Sequence, residues 1–299
     1  MHELSIVADY QDRCGEGPLW DVEHNRLYWT DCLGLRFYRY DWSAKKHLIV
    51  KEGLEIKGFA LNQDGGFVIS NTSGIWLWDG SGTPKIICAE VEGFKCQAND
   101  CIADAAGRFL AGLFYYNAID DYPLGKLLTV DTDGRARILD DGFHLANGMG
   151  FSLDGKTLYF TDSVARCIYA YDYDQATGSV KNRRMFVRVP FTSGIPDGLT
   201  VDAEGFVWSA EWYGSCVVRY DPDGAVERRI ETPAKQTSSI AFGGPELLEI
   251  FITSAGESAA LPVMPPRYDP VSGYFGGALY SMRSEIQGKP EFVANIRPM

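Results

Sequence analysis

Six residues stand out by type and by place: Glu16, Lys57, Asn99, Asn147, Asp197 and Ser238. Each opens the first strand of a segment built like the other five. Together they offer two carboxylates, two carboxamides, an amine and a hydroxyl. Two carboxylates with amide oxygens form a hard oxygen site, which suits calcium, magnesium or manganese and accepts zinc. Without a cation, bringing Glu16 and Asp197 together would force repulsion or proton uptake. Asn, Asp and Gly are also common wherever strands begin. Type and spacing alone therefore leave a cation site and a set of ordinary turn residues both open.

The elements that must position these residues are repeats. The segments are GEGPLWDVEHNRLYWTDC, KGFALNQDGGFVISNTSG, NDCIADAAGRFLAGLF, NGMGFSLDGKTLYFTDS, DGLTVDAEGFVWSAEW and SSIAFGGPELLEIFITSAG. Each reads as a short apolar strand, a polar turn and a second apolar strand. Gly65, Gly107, Gly155 and Gly205 fall at one offset in four of them, where a hairpin turn needs positive φ. A third strand follows in every unit: RFYRYDW, IWLWDG, KLLTVDTDG, CIYAYDYDQATG, VVRYDPDG and ALYSMRSE. About four strands in roughly 40–50 residues is the size of a propeller blade. The fold expected is all-β, one six-bladed β-propeller over residues 1–299, with the six opening residues around its channel. The competing architecture, a β-sandwich, carries turn signals without this longer period. Ring closure is expected from the stretch Leu4–Ala8 pairing beside Ala278–Met282 and Glu291–Ile296.

A net charge of −12 argues against nucleic-acid binding, which needs a basic face. The seven cysteines form no CxxC pair and no zinc spacing, and read as free, mostly buried thiols of a reducing compartment. No apolar run is long enough to span a bilayer. The stretch MHELSIVADYQDR has no basic start followed by an apolar run, so the expected location is cytoplasmic. Nucleophile-elbow, HExxH, Walker and GxGxxG motifs are missing. His2, His24, His47 and His144 share no repeat position, and His144 reads as a loop support. Glu211 and Asp162 read as turn or blade contacts. Trp212 and Tyr213 suit either an apolar wall for a ligand or plain core packing.

Glu16 in GEGPLW, Asn99-Asp100 in QANDCIADAAGRFLAG, Asn147-Gly148 in NGMGFSLDGKTLYFTDS and Asp197-Gly198 in PDGLTVDAEGFVW resemble the gluconolactonase/regucalcin (senescence marker protein) family. AYDYDQATGSVKNRR and FGGPELLEIFITSA extend the similarity over nearly the whole chain. The resemblance implies a six-bladed propeller holding one divalent metal (Ca, Zn, Mg or Mn), with Glu16, Asn147 and Asp197 as ligands and Asn99 on the substrate. It also implies hydrolysis of sugar-acid lactones, the metal polarising the lactone carbonyl and activating water, with Asp197 as general base. Asp100 is expected either to buttress Asn99 or to touch substrate. Two positions depart from the family pattern. Gln97 stands where the family often has an arginine, and a neutral amide replaces a charged fork. Lys57 stands where small or neutral residues are more usual. It reads either as a substitute cation for substrate or as a lysine that pairs with a carboxylate or reaches solvent. The proline-rich segment Gly256–Gly277 reads as a long loop near the channel mouth or a blade edge. The expected partner is a small sugar lactone, with no nucleic acid or membrane, on a monomer or weak homodimer. The competing functions are a phosphotriesterase-like hydrolase on the same metal and a non-catalytic calcium-binding propeller.

Overall fold

The computed structural model describes residues 3–114, 125–257, 261 and 263–297. Within them, six four-stranded antiparallel sheets follow one another along the chain. Their innermost strands are Gly15–Asp21, Gly58–Leu61, Ala98–Ala103, Ala146–Phe151, Ile195–Val201 and Thr237–Gly243. Each inner strand packs on the next, and the sixth packs on the first, so the sheets close into a six-bladed propeller. The hairpins and third strands read from the sequence are the first three strands of each blade. Gly65, Gly107, Gly155 and Gly205 all turn with positive φ.

Alternating apolar residues make this ring, because each blade buries both faces against its neighbours. Between the first and second blades Phe37, Phe59, Phe67, Ile69 and Trp78 form one cluster, with Phe37 and Phe59 edge to face at 4.8 Å. Between the sixth and first, Trp20 stacks on Phe251 at 6.0 Å. Inner strands are buried, whereas outer strands such as Lys46–Glu52 and Val226–Glu231 are mostly exposed. That gradient places the core between blades and leaves the axis to the opening residues.

Closure follows the expectation in one part and corrects it in another. Ser5–Asp9 pairs with Ala278–Arg283 and is the outermost strand of the sixth blade. Glu291–Ile296 does not join that blade. It crosses the underside of the ring: Ala294 exchanges backbone hydrogen bonds with Leu61 and Gln63, Asn295 donates to Gly107, and Thr200 donates to Glu291. Glu291 and Phe292 thereby line the floor of the channel. The apolar side chain of Phe292 drives this route, packing into clusters of the second, third and fourth blades. No helix among the described residues is long and apolar enough to cross a membrane.

Candidate active site at the channel mouth

The same irregularity recurs where the opening residues sit. Strand register slips between Glu16 and Leu19, Ala98 and Cys101, Ala146 and Met149, Pro196 and Leu199, and Thr237 and Ser239. Such a bulge bends a strand and re-aims the side chain on it. Five of six inner strands therefore turn their opening residue by one device. The adjoining glycines allow the strands to come together there. A Cβ on Gly148 would lie 2.4 Å from the Leu199 nitrogen and 2.5 Å from the Asp197 carbonyl oxygen.

Asn99, Asn147 and Asp197 are brought together with Glu16. The Asn99 amide nitrogen donates to the Ala146 carbonyl at 3.0 Å and to Asn147 Oδ1 at 2.8 Å. The Asn147 amide nitrogen donates to Ser163 Oγ at 2.9 Å, and that hydroxyl donates to the Pro196 carbonyl at 2.6 Å. The chain of donors fixes both amides. Asn147 donates to Ser163, hydrogen-bonds Asp197, and accepts from Asn99 at its oxygen. Asp197 and Asn147 are buried, and Glu16 is half-buried.

Both carboxyls are held well above the ordinary carboxylate range. For Glu16, burial is the largest cause, followed by the charges of Asp197 and Cys32. For Asp197 it is burial, then the charges of Asp100, Cys32 and Glu211. Asp100 faces the axis one step below, along a cavity of about 70 Å³ shared with Phe59, Met149 and Leu199. It accepts from the Cys101 amide at 2.7 Å, and burial pushes it up to about 6. Asp100 thus bonds its own successor and lines the cavity; no bond to Asn99 is present among the described residues.

The remaining opening residues behave differently. Ser238 Oγ donates to the Gly15 carbonyl at 2.5 Å and lies 3.0 Å from Thr253 Oγ1, so it ties two blades together. The Lys57 ammonium makes no ion pair among the described residues and lies 5.2 Å from the Phe114 ring centroid. Gln97 is half-buried, and its backbone is fixed by bonds to Lys95 and Phe114.

Asp31 escaped the sequence reading, whereas Asp162 is the turn contact expected of it. Asp31 accepts from the Arg13, Cys14 and Gly34 amides, and Asp162 from those of His144, Leu145 and Ala165. Each holds the two residues that lead into an opening residue, Glu16 or Asn147. The repeated Thr-Asp closing LYWTD and LYFTD was the signal. His144 is the expected loop support, bonded to Asp162. His24 and His47 pair with Asp21 and Tyr10, and His2 lies outside the described residues.

Glu211 makes a contact within its own blade, one of the two roles expected of it, and its burial adds to that reading. It is fully buried, takes a 3.3 Å bond from Tyr220, leaves Oε2 without a partner, and is pushed up to about 7 by burial. It occupies a strand position held by Thr30, Thr161 and Thr253 in other blades, and only the fifth blade puts a carboxyl there. Trp212 and Tyr213 pack beneath Leu261, Val263, Met264 and Tyr268, as core rather than open wall. The loop 256–277 therefore reaches the channel mouth, residues 258–260 and 262 lying outside the description. Arg166 anchors it. That guanidinium donates to the carbonyls of Val189, Pro190, Ser193, Gly194 and Val263, joining the loop to the stretch that leads into Asp197.

Among the described residues, no three His, Cys, Asp or Glu side chains are disposed to hold a metal. The donor set at the mouth is of another kind, a buried and a half-buried carboxyl with an oriented amide oxygen. Those groups fit a hard cation, since a cation offsets the lost hydration and the neighbouring negative charges that lift both carboxyls.

A propeller with an oxygen-rich ring at one mouth and a closed floor defines a class in which a small ligand meets polar groups on the axis. Residues 14–256 match the SMP-30/gluconolactonase/LRE-like family, and the chain belongs to it. It is 37% identical to a pentonolactonase of Haloferax volcanii over 98% of this chain and 99% of that one. It is 34% identical to a 6-deoxy-6-sulfogluconolactonase of Pseudomonas putida, over 85% and 88%. The calcium-binding protein regucalcin of Agrobacterium tumefaciens superposes with a TM-score of 0.84 at 25% identity, covering 98% of this chain and 97% of that one.

Proposed function

We propose that the protein is a metal-dependent hydrolase that opens sugar-acid lactones, with Glu16, Asn147 and Asp197 as the protein ligands of one divalent cation. The observation that carries this reading is the pairing of two carboxyls, both held well above their ordinary range, with an amide oxygen fixed by its neighbours. The lactonases among its relatives support the choice of substrate class. When bound, the cation would supply Lewis-acid polarisation of the lactone carbonyl and acidify the attacking water.

The chain's own residues perform the rest. Asp197 takes the proton of the attacking water as general base and returns it to the leaving alkoxide, its burial raising its basicity. Asn99 has both amide hydrogens engaged, by Ala146 and Asn147. It therefore presents its carbonyl oxygen, which accepts from a sugar hydroxyl. Gln97 and Lys57 complete the polar edge, with Lys57 supplying the cation that Gln97 does not. Asp100 acts from below, setting the field on Asp197 rather than touching substrate.

A pH-stat assay over a panel of aldonolactones, with chelated and metal-reloaded protein, tests the reading. Hydrolysis should require the cation and should fall at least a hundredfold in Asp197→Asn. Full activity after complete metal removal, or in that variant, would sink the mechanism. Turnover of phosphotriesters without lactones would replace the substrate class.

A further inference from the structure

Two thiols outside the ring meet at an unusual place. Cys88 ends the outer strand of the second blade, Lys85–Cys88, and Cys96 lies just ahead of the inner strand of the third, Ala98–Ala103. Their sulfurs are 3.3 Å apart. A disulfide needs about 2.05 Å, so closing by little more than an ångström joins them. The backbone between them is already tied. Glu90–Val91 pairs with Phe94–Lys95 as a hairpin, and the Cys96 amide donates to the Ala89 carbonyl at 2.9 Å.

The two partners differ in a way that suits oxidation. Cys96 is fully buried, whereas Cys88 is half-buried and reachable from solvent. The thiols share a hydrogen bond in which either sulfur can donate, and Cys88 also meets the Glu90 carbonyl at 3.2 Å; the pairing draws Cys88 down to about 7 and pushes Cys96 up. The exposed sulfur is thus the better nucleophile and the buried one the resolving thiol.

We propose that Cys88 and Cys96 are a peroxide-oxidisable dithiol whose disulfide staples the second blade to the strand carrying Asn99. The Cys88 thiolate attacks hydrogen peroxide, forming an S–O bond as the O–O bond breaks, and water leaves after protonation. The Cys96 sulfur then attacks the sulfenic sulfur, forming the S–S bond and releasing a second water. Two thiols and one peroxide become one disulfide and two waters; the thiols lose two electrons and the peroxide gains them. Cys96 is followed directly by Gln97, so the staple stiffens the arm bearing two polar residues of the mouth. This inference stands apart from lactone chemistry and survives a different substrate.

The test is stepwise addition of hydrogen peroxide to the full-length, metal-loaded protein, then alkylation and non-reducing peptide mapping by mass spectrometry. The first product expected is a Cys88–Cys96 linked peptide, lost on treatment with dithiothreitol. In Cys88→Ser, Cys96 should stay an alkylatable thiol at the same dose. Several results would overturn the proposal. They are a first link between Cys14 and Cys32, whose thiols also meet, oxidation of Cys88 to sulfinic acid without a link, or full retention of both thiols.

Discussion

At the scale of single residues, the ring is a problem of charge. Glu16 and Asp197 are both lifted first by lost hydration; the charge of Asp197 then adds to Glu16, and those of Asp100, Cys32 and Glu211 add to Asp197. A cation reverses that preference, so its binding must release protons. Calcium added to chelated protein at pH 7 should release protons. Calorimetry in two buffers of different ionisation enthalpy measures the release, and buffer-independent heats would refute it. Glu211 behaves differently because it lies behind the ring. Its carboxyl moves from an ordinary 4.5 up to about 7, so the neutral form is the one the fold favours. Stability from this group is complete below the unfolded value and is lost as pH rises through about 7. Glu211→Gln should therefore gain about 1–3 kcal/mol on wild type between pH 5 and pH 8. Urea unfolding at the two values reads this directly, and a constant difference would contradict it.

At the scale of elements, the bulges and the glycines beside them do the positioning. Each bulge turns one side chain toward the axis, and each close strand approach keeps it there. Gly148 is the sharpest case, because the atoms nearest an added Cβ are backbone on both sides of Asp197's own peptide. Backbone cannot swing away as a side-chain tip can. Gly148→Ala should cost about 2–3 kcal/mol of stability and displace Asp197. A fall in urea midpoint together with a fall in calcium affinity is the expected pair; unchanged affinity would mean that the two strands are not coupled. Asp31 and Asp162 belong to this scale too. They hold the chain that enters the first and fourth blades by accepting backbone N–H groups that no strand satisfies.

For the whole molecule, the two ends of the chain have separate tasks. The N-terminal strand completes the sixth blade from outside, and the C-terminal stretch floors the channel. Removing residues through Asp9 leaves Ala278–Arg283 as a bare edge. Such an edge pairs with other chains. The truncated protein should melt lower and self-associate with rising concentration, as light scattering after size exclusion would show. A monomer of unchanged melting temperature would argue that blade closure is dispensable.

Repeats of short strands and turn glycines were sufficient for the six blades, since period and turn chemistry are local properties. They also aligned Glu16, Asn99, Asn147 and Asp197, because equivalent places in repeats become equivalent places around an axis. Sequence alone could not show that Ser238, an equal member by position, turns its hydroxyl to the Gly15 carbonyl instead. It likewise missed that Glu291–Ile296 runs beneath the ring, a route set by where Phe292 finds apolar cover. Glu211 looked like a strand-end residue, and burial beside Asp197 is a property of the packed blade. Local pattern decides which residues can face the axis; packing between distant segments decides which of them do, and how charged they are when they arrive.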